Sequence, residues 1–350
     1  MPDFTRRGFT AAGLATAAIL TASPNGSING AVTPPRDPLW FVNPELRPAA
    51  AQLHAMVAQM PPFSKATLPA ARKVSFGQPP LATIPYTKQL VAVRNGPPVA
   101  VYAINAKPGT NRAAILHMHG GGFITGSAAD FIRDLQAIAA TLDCAIVTVD
   151  YRLAPETLWS GSLEDNHAAL RWLHDHALEL GVDRNRIAVM GESAGGGHAA
   201  LLAIAARDRG EVPVAFQCLT YPMLDDRTGS TRFPRAPIGT LGWDAAANRF
   251  GWTSFLGRSP GTPGRPAGGV PARTANLAGL PPAWIGVGSI DLFVDEDLEY
   301  ARRLIASLVP TEVQVVPGAF HGFDLIAGET SVARIFKEGR LTALRRALAG

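Results

Sequence analysis

The stretch Ile187-Ala188-Val189-Met190-Gly191-Glu192-Ser193-Ala194-Gly195-Gly196-Gly197-His198-Ala199-Ala200 decides the fold. Four apolar residues that read as a buried strand run into a single hydroxyl among small residues, and an Ala-rich run that reads as a helix follows. A serine on so sharp a strand-to-helix turn is forced into strained backbone angles that lift its Oγ above the sheet edge. Glycines on either side avoid the collision that any Cβ would make with the neighbouring strand or helix. The G-x-S-x-G pattern at 191–195 therefore makes Ser193 a candidate nucleophile.

A serine hydroxyl attacks poorly at neutral pH without a base, and the oxyanion it creates needs donors already aimed at it. The run "HMHGGGFITG" at 117–126 follows an apolar strand, and its glycines leave backbone N–H groups free to point into a cavity. Gly120, Gly121 and Gly122, with the N–H of Ala194 after the nucleophile, are the candidate oxyanion donors. Among the eight histidines, His321 in "PGAFHGFDL" stands in a loop after the last predicted strand and follows the serine in chain order. His321 is thus the expected base. His198 is expected to pack under the nucleophile, His117 and His119 share a face without a third metal ligand, His167, His174 and His176 fall on a helix read as peripheral, and His54 on the cap. In "GSIDLFVDED", Asp291 comes first after the strand and is the expected acid, while Asp295, Glu296 and Asp297 read as the acidic first turn of a helix.

The surrounding chain alternates apolar strands with amphipathic helices, the pattern of a mainly parallel sheet covered on both faces. Strands are predicted at 89–94, 99–105, 113–119, 145–150, 187–191, 214–220, 284–288 and 312–316. Helices are predicted at 44–60, 128–142, 163–180, 194–209, 295–308 and 331–348, with Pro48 in the first turn of its helix and Ser162 and Asp165 spaced as a capping-box variant. The segment at about 226–280 is too long for a simple connection and carries Trp243, Phe250, Trp252 and Phe255, so it reads as an inserted cap.

Five motifs in this order, "HGGGF" at 119–123, "DYRLAPE" at 150–156, "GESAGG" at 191–196, "GSIDLFVDED" at 288–297 and "HGF" at 321–323, resemble the hormone-sensitive-lipase-like family of α/β-hydrolases over residues 85 to 350. The resemblance implies the α/β-hydrolase fold, an eight-stranded, mainly parallel sheet with helices on both faces and a helical cap built from the N-terminal segment and the insertion. It implies a triad of Ser193, Asp291 and His321, an oxyanion site of Gly121, Gly122 and Ala194, no cofactor or metal, and hydrolysis of short to medium acyl-chain esters through an acyl-enzyme. Glu192 stands where Asp is common in the family, Leu292 where Pro is common, and "TLWSGSLED" at 157–165 lacks the usual His and Pro, leaving Trp159 as either a packing residue or a substrate contact. An amidase or acyltransferase with the same triad, or a ligand-binding module on the scaffold, are the rival readings.

The 350 residues, 47% hydrophobic, suffice for one large domain with an accessory element. The net charge of +4 is scattered rather than striped, which argues against a nucleic-acid partner; oligomeric state is not read. Cys144 and Cys218 sit in apolar strands and read as inert core thiols. At the N-terminus, "TRRGFTAAGLATAAILTAS" pairs Arg6 and Arg7 with a mildly apolar run too short to span a membrane, which resembles a twin-arginine export signal over residues 1–30. Export to the periplasm or beyond without a stable membrane anchor is the expectation, with a cytoplasmic location as the alternative. A Pro-, Asn-, Gly- and Ser-rich linker at about 24–38 and a cap segment within 31–84 complete the predicted layout.

Overall fold

The computed structural model describes residues 37, 39–75, 77–264 and 268–349. The predicted export signal, and all but Asp37 of the predicted linker, lie outside them. Every element below belongs to the compact unit Leu39–Gly350.

The strands are β1 (Tyr86–Val91), β2 (Val99–Ile104), β3 (Arg112–Met118), β4 (Ala145–Asp150), β5 (Val182–Glu192), β6 (Phe216–Thr220), β7 (Ala283–Gly288) and β8 (Thr311–Val316). They form one sheet in the order β1-β2-β4-β3-β5-β6-β7-β8. β2 runs antiparallel to both of its neighbours, and every other pairing is parallel. The helices are α1 (Arg47–Val57), α2 (Leu68–Ala71), α3 (Ile132–Leu142), α4 (Trp159–Asp175), α5 (Ala177–Leu180), α6 (Ala194–Arg209), α7 (Ala245–Leu256), α8 (Val294–Ala306), α9 (Phe323–Ile326) and α10 (Ser331–Leu348).

Alternation along the central strands feeds two cores. Leu116, Met118, Ile187 and Val189 face one side with α4, α6 and α8, whereas Ile115, Ile146, Ala188 and Met190 face the other with α3 and α10. Each fully buried Leu or Ile stabilises the fold by roughly 1.5–3 kcal/mol relative to exposure. α6 is buried almost all round, so its run of Gly and Ala is what lets it lie against the sheet.

Several boundaries differ from the sequence reading. β1 begins three residues earlier than predicted because it is an exposed edge strand whose polar residues hide the alternation. The helix predicted at 163–180 starts instead at Trp159 and breaks at His176 into α4 and α5. Ser162 and Asp165 therefore do not cap it: Leu158 is the N-cap, and Asp165 lies mid-helix, its carboxylate held by Arg152 at 2.7–3.0 Å. His167, on the helix read as peripheral, is buried. Both cysteines are free and buried, and desolvation pushes each thiol up to about 12.

Between β6 and β7 the chain makes a long excursion carrying α7. Trp252, Phe255, Val270 and Leu277 join the core on the α6 side. Phe63, ahead of α2, packs against Trp243 and Phe250 of this excursion with ring centroids 5.6 and 6.5 Å apart. His54 is exposed on α1.

Candidate active site

Ser193 is the single residue between the end of β5 and the start of α6. It sits at φ 56°, ψ −121°, a conformation that costs a non-glycine residue about 1–3 kcal/mol. Its N–H donates to the Thr220 carbonyl and its carbonyl accepts from Met223, both at 2.9 Å, which pins the turn to the end of β6. A Cβ on Gly195 would lie 2.0 Å from the Met118 carbonyl oxygen, so the helix comes this close to β3 only because residue 195 lacks one.

His321 occupies the turn between β8 and α9. Its Nε2 lies 3.0 Å from Ser193 Oγ, and its Nδ1 lies 2.9 Å from Asp291 Oδ2. The other carboxylate oxygen accepts the Phe293 N–H at 3.0 Å. The imidazole is flanked by Tyr221, with ring centroids 4.8 Å apart, and by Phe293 at 5.1 Å, each edge-on. Neither ring was read as part of the site from the sequence: Tyr221 stands outside every motif, and Phe293, inside "GSIDLFVDED", is an apolar residue with no chemical signal of its own.

Asp295, Glu296 and Asp297 stand in the first turn of α8, as the sequence reads; Asp295 is exposed, whereas Glu296 and Asp297 are buried. Burial first, and then Asp225, pushes the Glu296 carboxyl well above its ordinary range. Its side chain accepts the N–H groups of Leu224 at 2.6 Å and Asp225 at 3.0 Å, fastening the start of the excursion to α8.

The glycine loop is shaped from one carbonyl. Gly121 O accepts from Ile124 N, Thr125 N and Thr125 Oγ1 at 2.9–3.0 Å, with Gly121 at φ +121° and Gly122 at φ +60°. The N–H groups of Gly121 and Gly122 engage no acceptor among the described residues, and Ala194 N heads α6, where the first N–H groups lack intrahelical partners. Gly120, just before Gly121, packs on the turn of Ser193: a Cβ there would lie 3.0 Å from the Glu192 carbonyl oxygen and 3.6 Å from Ser193 Cβ.

"DYRLAPE" holds this loop rather than lining it. Asp150 accepts the Ala128 N–H at 3.0 Å, and the Tyr151 hydroxyl donates to the His119 carbonyl at 2.6 Å. Arg72 holds Glu156. His119 stacks on Tyr151 at 4.2 Å, and desolvation depresses it to about 4. His198 lies against Tyr151 and Phe123 and is depressed by desolvation to about 3.

The excursion roofs the site. A Cβ on Gly122 would lie 2.3 Å from the Trp243 ring, and one on Gly242 would lie 2.6 Å from the His321 carbonyl oxygen. Gly242 and Trp243 therefore touch the histidine turn and the glycine loop at once, and the Asn248 amide oxygen accepts the indole N–H at 3.1 Å. Trp159 packs on Gly268 and Gly269, away from the triad residues. Ser193 is left only 7% exposed.

A family model described as alpha/beta hydrolase fold matches residues 115–325. The esterase LipI of Mycobacterium tuberculosis is 38% identical over 239 residues, covering 67% of this chain and 73% of that protein. The carboxylesterase NlhH of the same organism is 38% identical over 242 residues, covering 68% and 75%. Among solved structures, a bacterial heroin esterase superposes with a TM-score of 0.76 at 34% identity, over 89% of this chain and 99% of that one.

Proposed function

The chain belongs to the α/β-hydrolase family, in its hormone-sensitive-lipase-like branch, and is a carboxylic ester hydrolase; from this premise we propose a serine carboxylesterase that acts on short to medium acyl-chain esters through Ser193, His321 and Asp291. The observation that carries this reading is the unbroken hydrogen-bonded line from Asp291 through His321 to Ser193, at 2.9 and 3.0 Å.

In this mechanism His321 Nε2 takes the Ser193 proton as Oγ attacks the ester carbonyl. Asp291, fully buried and accepting from Nδ1, keeps the imidazole in the tautomer whose Nε2 is free to accept, and stabilises the imidazolium that forms. The tetrahedral oxyanion rests on the N–H groups of Gly121, Gly122 and Ala194, each donor contributing about 3–4 kcal/mol to the transition state. Imidazolium then gives its proton to the departing alkoxide, leaving the acyl group on Ser193. A water deprotonated by the same His321 attacks that ester and releases the acid. The aromatic roof of Trp243, Phe250 and Phe63 favours an uncharged acyl group of limited length.

The test is a series of p-nitrophenyl esters graded by chain length, with wild type and Ser193→Ala. Activity falling with acyl length beyond octanoate, and a loss of at least about 10⁴-fold in kcat for Ser193→Ala, are expected. Faster turnover of the matching p-nitroanilides, releasing p-nitroaniline and free acid, would point to an amidase, and acylated acceptor in preference to free acid to an acyltransferase. The segment 1–30 is read as a twin-arginine export signal on the Arg6-Arg7 pair, and replacing both arginines by lysine is expected to retain the protein in the cytoplasm. Among the described residues no helix is long and apolar enough to cross a membrane.

A further inference from the structure

Ser193 and His321 stand 128 residues apart in the chain, yet their reacting atoms lie 3.0 Å apart. The stretch just past β6 engages both. Ser193 N–H donates to the Thr220 carbonyl and the Ser193 carbonyl accepts the Met223 N–H, each at 2.9 Å. Between these two anchors lies Tyr221, whose own N–H donates to the Gly286 carbonyl of β7 at 2.6 Å. Its ring packs against the His321 imidazole with centroids 4.8 Å apart. Its hydroxyl reaches past that ring and donates to Asp324 Oδ1 at 2.8 Å, in α9 and three residues beyond His321. Tyr221 and Asp324 are both buried.

Two features of this pair are costly for packing alone. Tyr221 sits at φ 34°, a region that a bulky residue takes only where its surroundings enforce it, and such strain gathers at functional sites. The second oxygen of its partner, Asp324 Oδ2, has no hydrogen-bond partner among the described residues. A phenyl ring at 221 facing an apolar side chain at 324 would fill the same space and bury no polar atom. The hydroxyl and carboxyl are therefore better explained by direction. An O–H···O bond fixes where the ring stands relative to α9, whereas apolar contact alone leaves it free to slide.

We propose that Tyr221 is a positioning residue for the triad. Its backbone segment grips the turn carrying Ser193, and its ring, locked by Asp324, backs the imidazole of His321. One side chain thus sets the distance from His321 Nε2 to Ser193 Oγ, and it touches no substrate. The proposal rests on the roles assigned above to Ser193 and His321.

The test measures kcat, KM and melting temperature with p-nitrophenyl acetate for Tyr221→Phe, Asp324→Leu, their combination, and Asp324→Asn. Tyr221→Phe and Asp324→Leu are each expected to lower kcat on the order of tenfold with KM within about twofold, since a shift of the reacting groups costs rate rather than binding. Asp324→Asn, whose amide oxygen still accepts the hydroxyl, is expected to retain most of the activity that Asp324→Leu loses. The combination leaves neither polar partner stranded, so its melting temperature is expected at or above those of the two single variants while its kcat stays as low as theirs. Recovery of kcat together with the melting temperature would show a pair that serves packing only and would overturn the proposal. So would wild-type kcat in either single variant, losses carried by KM, or a loss in Asp324→Asn as deep as in Asp324→Leu. Wild type and Ser193→Ala run alongside keep the outcomes separate: equal turnover by those two would sink the catalytic assignment itself, and the proposal with it.

Discussion

Gly251 in α7 meets Gly122 backbone to backbone. A methyl group added at Gly251 would lie 2.7 Å from the Gly122 carbonyl oxygen, closer than real Cβ atoms come to anything. Phe123, next in the glycine loop and itself at φ +68°, stacks on Phe255 one helical turn further along α7 at 3.9 Å. The cap helix thus braces the loop that carries the proposed oxyanion donors. Gly251→Ala must push that loop, and it is expected to lower kcat by about 10- to 100-fold, with KM changed far less, because the donors act on the transition state. Wild-type kcat in a folded Gly251→Ala protein would show that the loop does not lean on α7.

Asp291→Asn keeps the shape of the acid but removes its charge. The amide can offer its N–H to Nδ1 and so favour the tautomer that carries its proton on Nε2, where it cannot accept from Ser193. A fall of about 10³- to 10⁴-fold in kcat is expected, with the melting temperature nearly unchanged. Asp295→Asn, on an exposed side chain, is the matched control and should keep full activity.

Trp243 lies over Gly122 and is backed by Phe63, which itself stacks on Phe250. Trp243→Ala removes this wall and is expected to raise the ratio of kcat/KM for octanoate over acetate by about tenfold, within the 1–3 kcal/mol that pocket methylenes command. A chain-length profile identical to wild type would place the acyl group elsewhere.

His119 and His198 carry a pH dependence whose direction follows from their burial. Both are fully buried, and desolvation lowers them from 6.5 to about 4 and about 3. In the unfolded chain they take up protons near their ordinary value, so between pH 6.5 and about 4 the unfolded state binds more protons. Stability is therefore complete above pH 6.5 and is lost as pH falls, by up to about 1.4 kcal/mol per pH unit for each histidine. Urea unfolding at pH 7, 6 and 5 measures this slope, and His198→Phe, which keeps a ring against Phe123 and Phe255, should flatten it by one histidine's share. Parallel slopes for the two proteins would exclude His198 as a source.

The parts legible in the sequence share a property. Gly191, Gly195, Gly121 and Gly122 answer local demands of backbone angle or close approach, and such demands leave a signature within five or six consecutive residues. The sheet was legible wherever a strand is buried on both faces, as β3, β4, β6, β7 and β5 from Ile187 onward are, and blurred at the exposed edge strand β1 and in the exposed first half of β5, which begins five residues before the predicted strand. Ser162 and Asp165 mislead for a related reason: their spacing fits a cap, yet Arg152, brought in from β4's end, claims the aspartate and lets the helix start upstream.

Taken alone, the sequence determined the order of the eight strands and of the helices around them apart from α7 and the short α2, α5 and α9, together with the sharp turn at Ser193 and the glycine-rich loop after β3, because each is written in the dihedral and steric needs of neighbouring residues. Tertiary structure decided the rest. Tyr221 and Phe293 flank His321, Trp243 roofs Gly122, and Arg340 reaches Glu192 only once segments far apart in the chain pack across the sheet. No run of consecutive residues encodes such a contact, since its geometry belongs to the shared core and not to either segment.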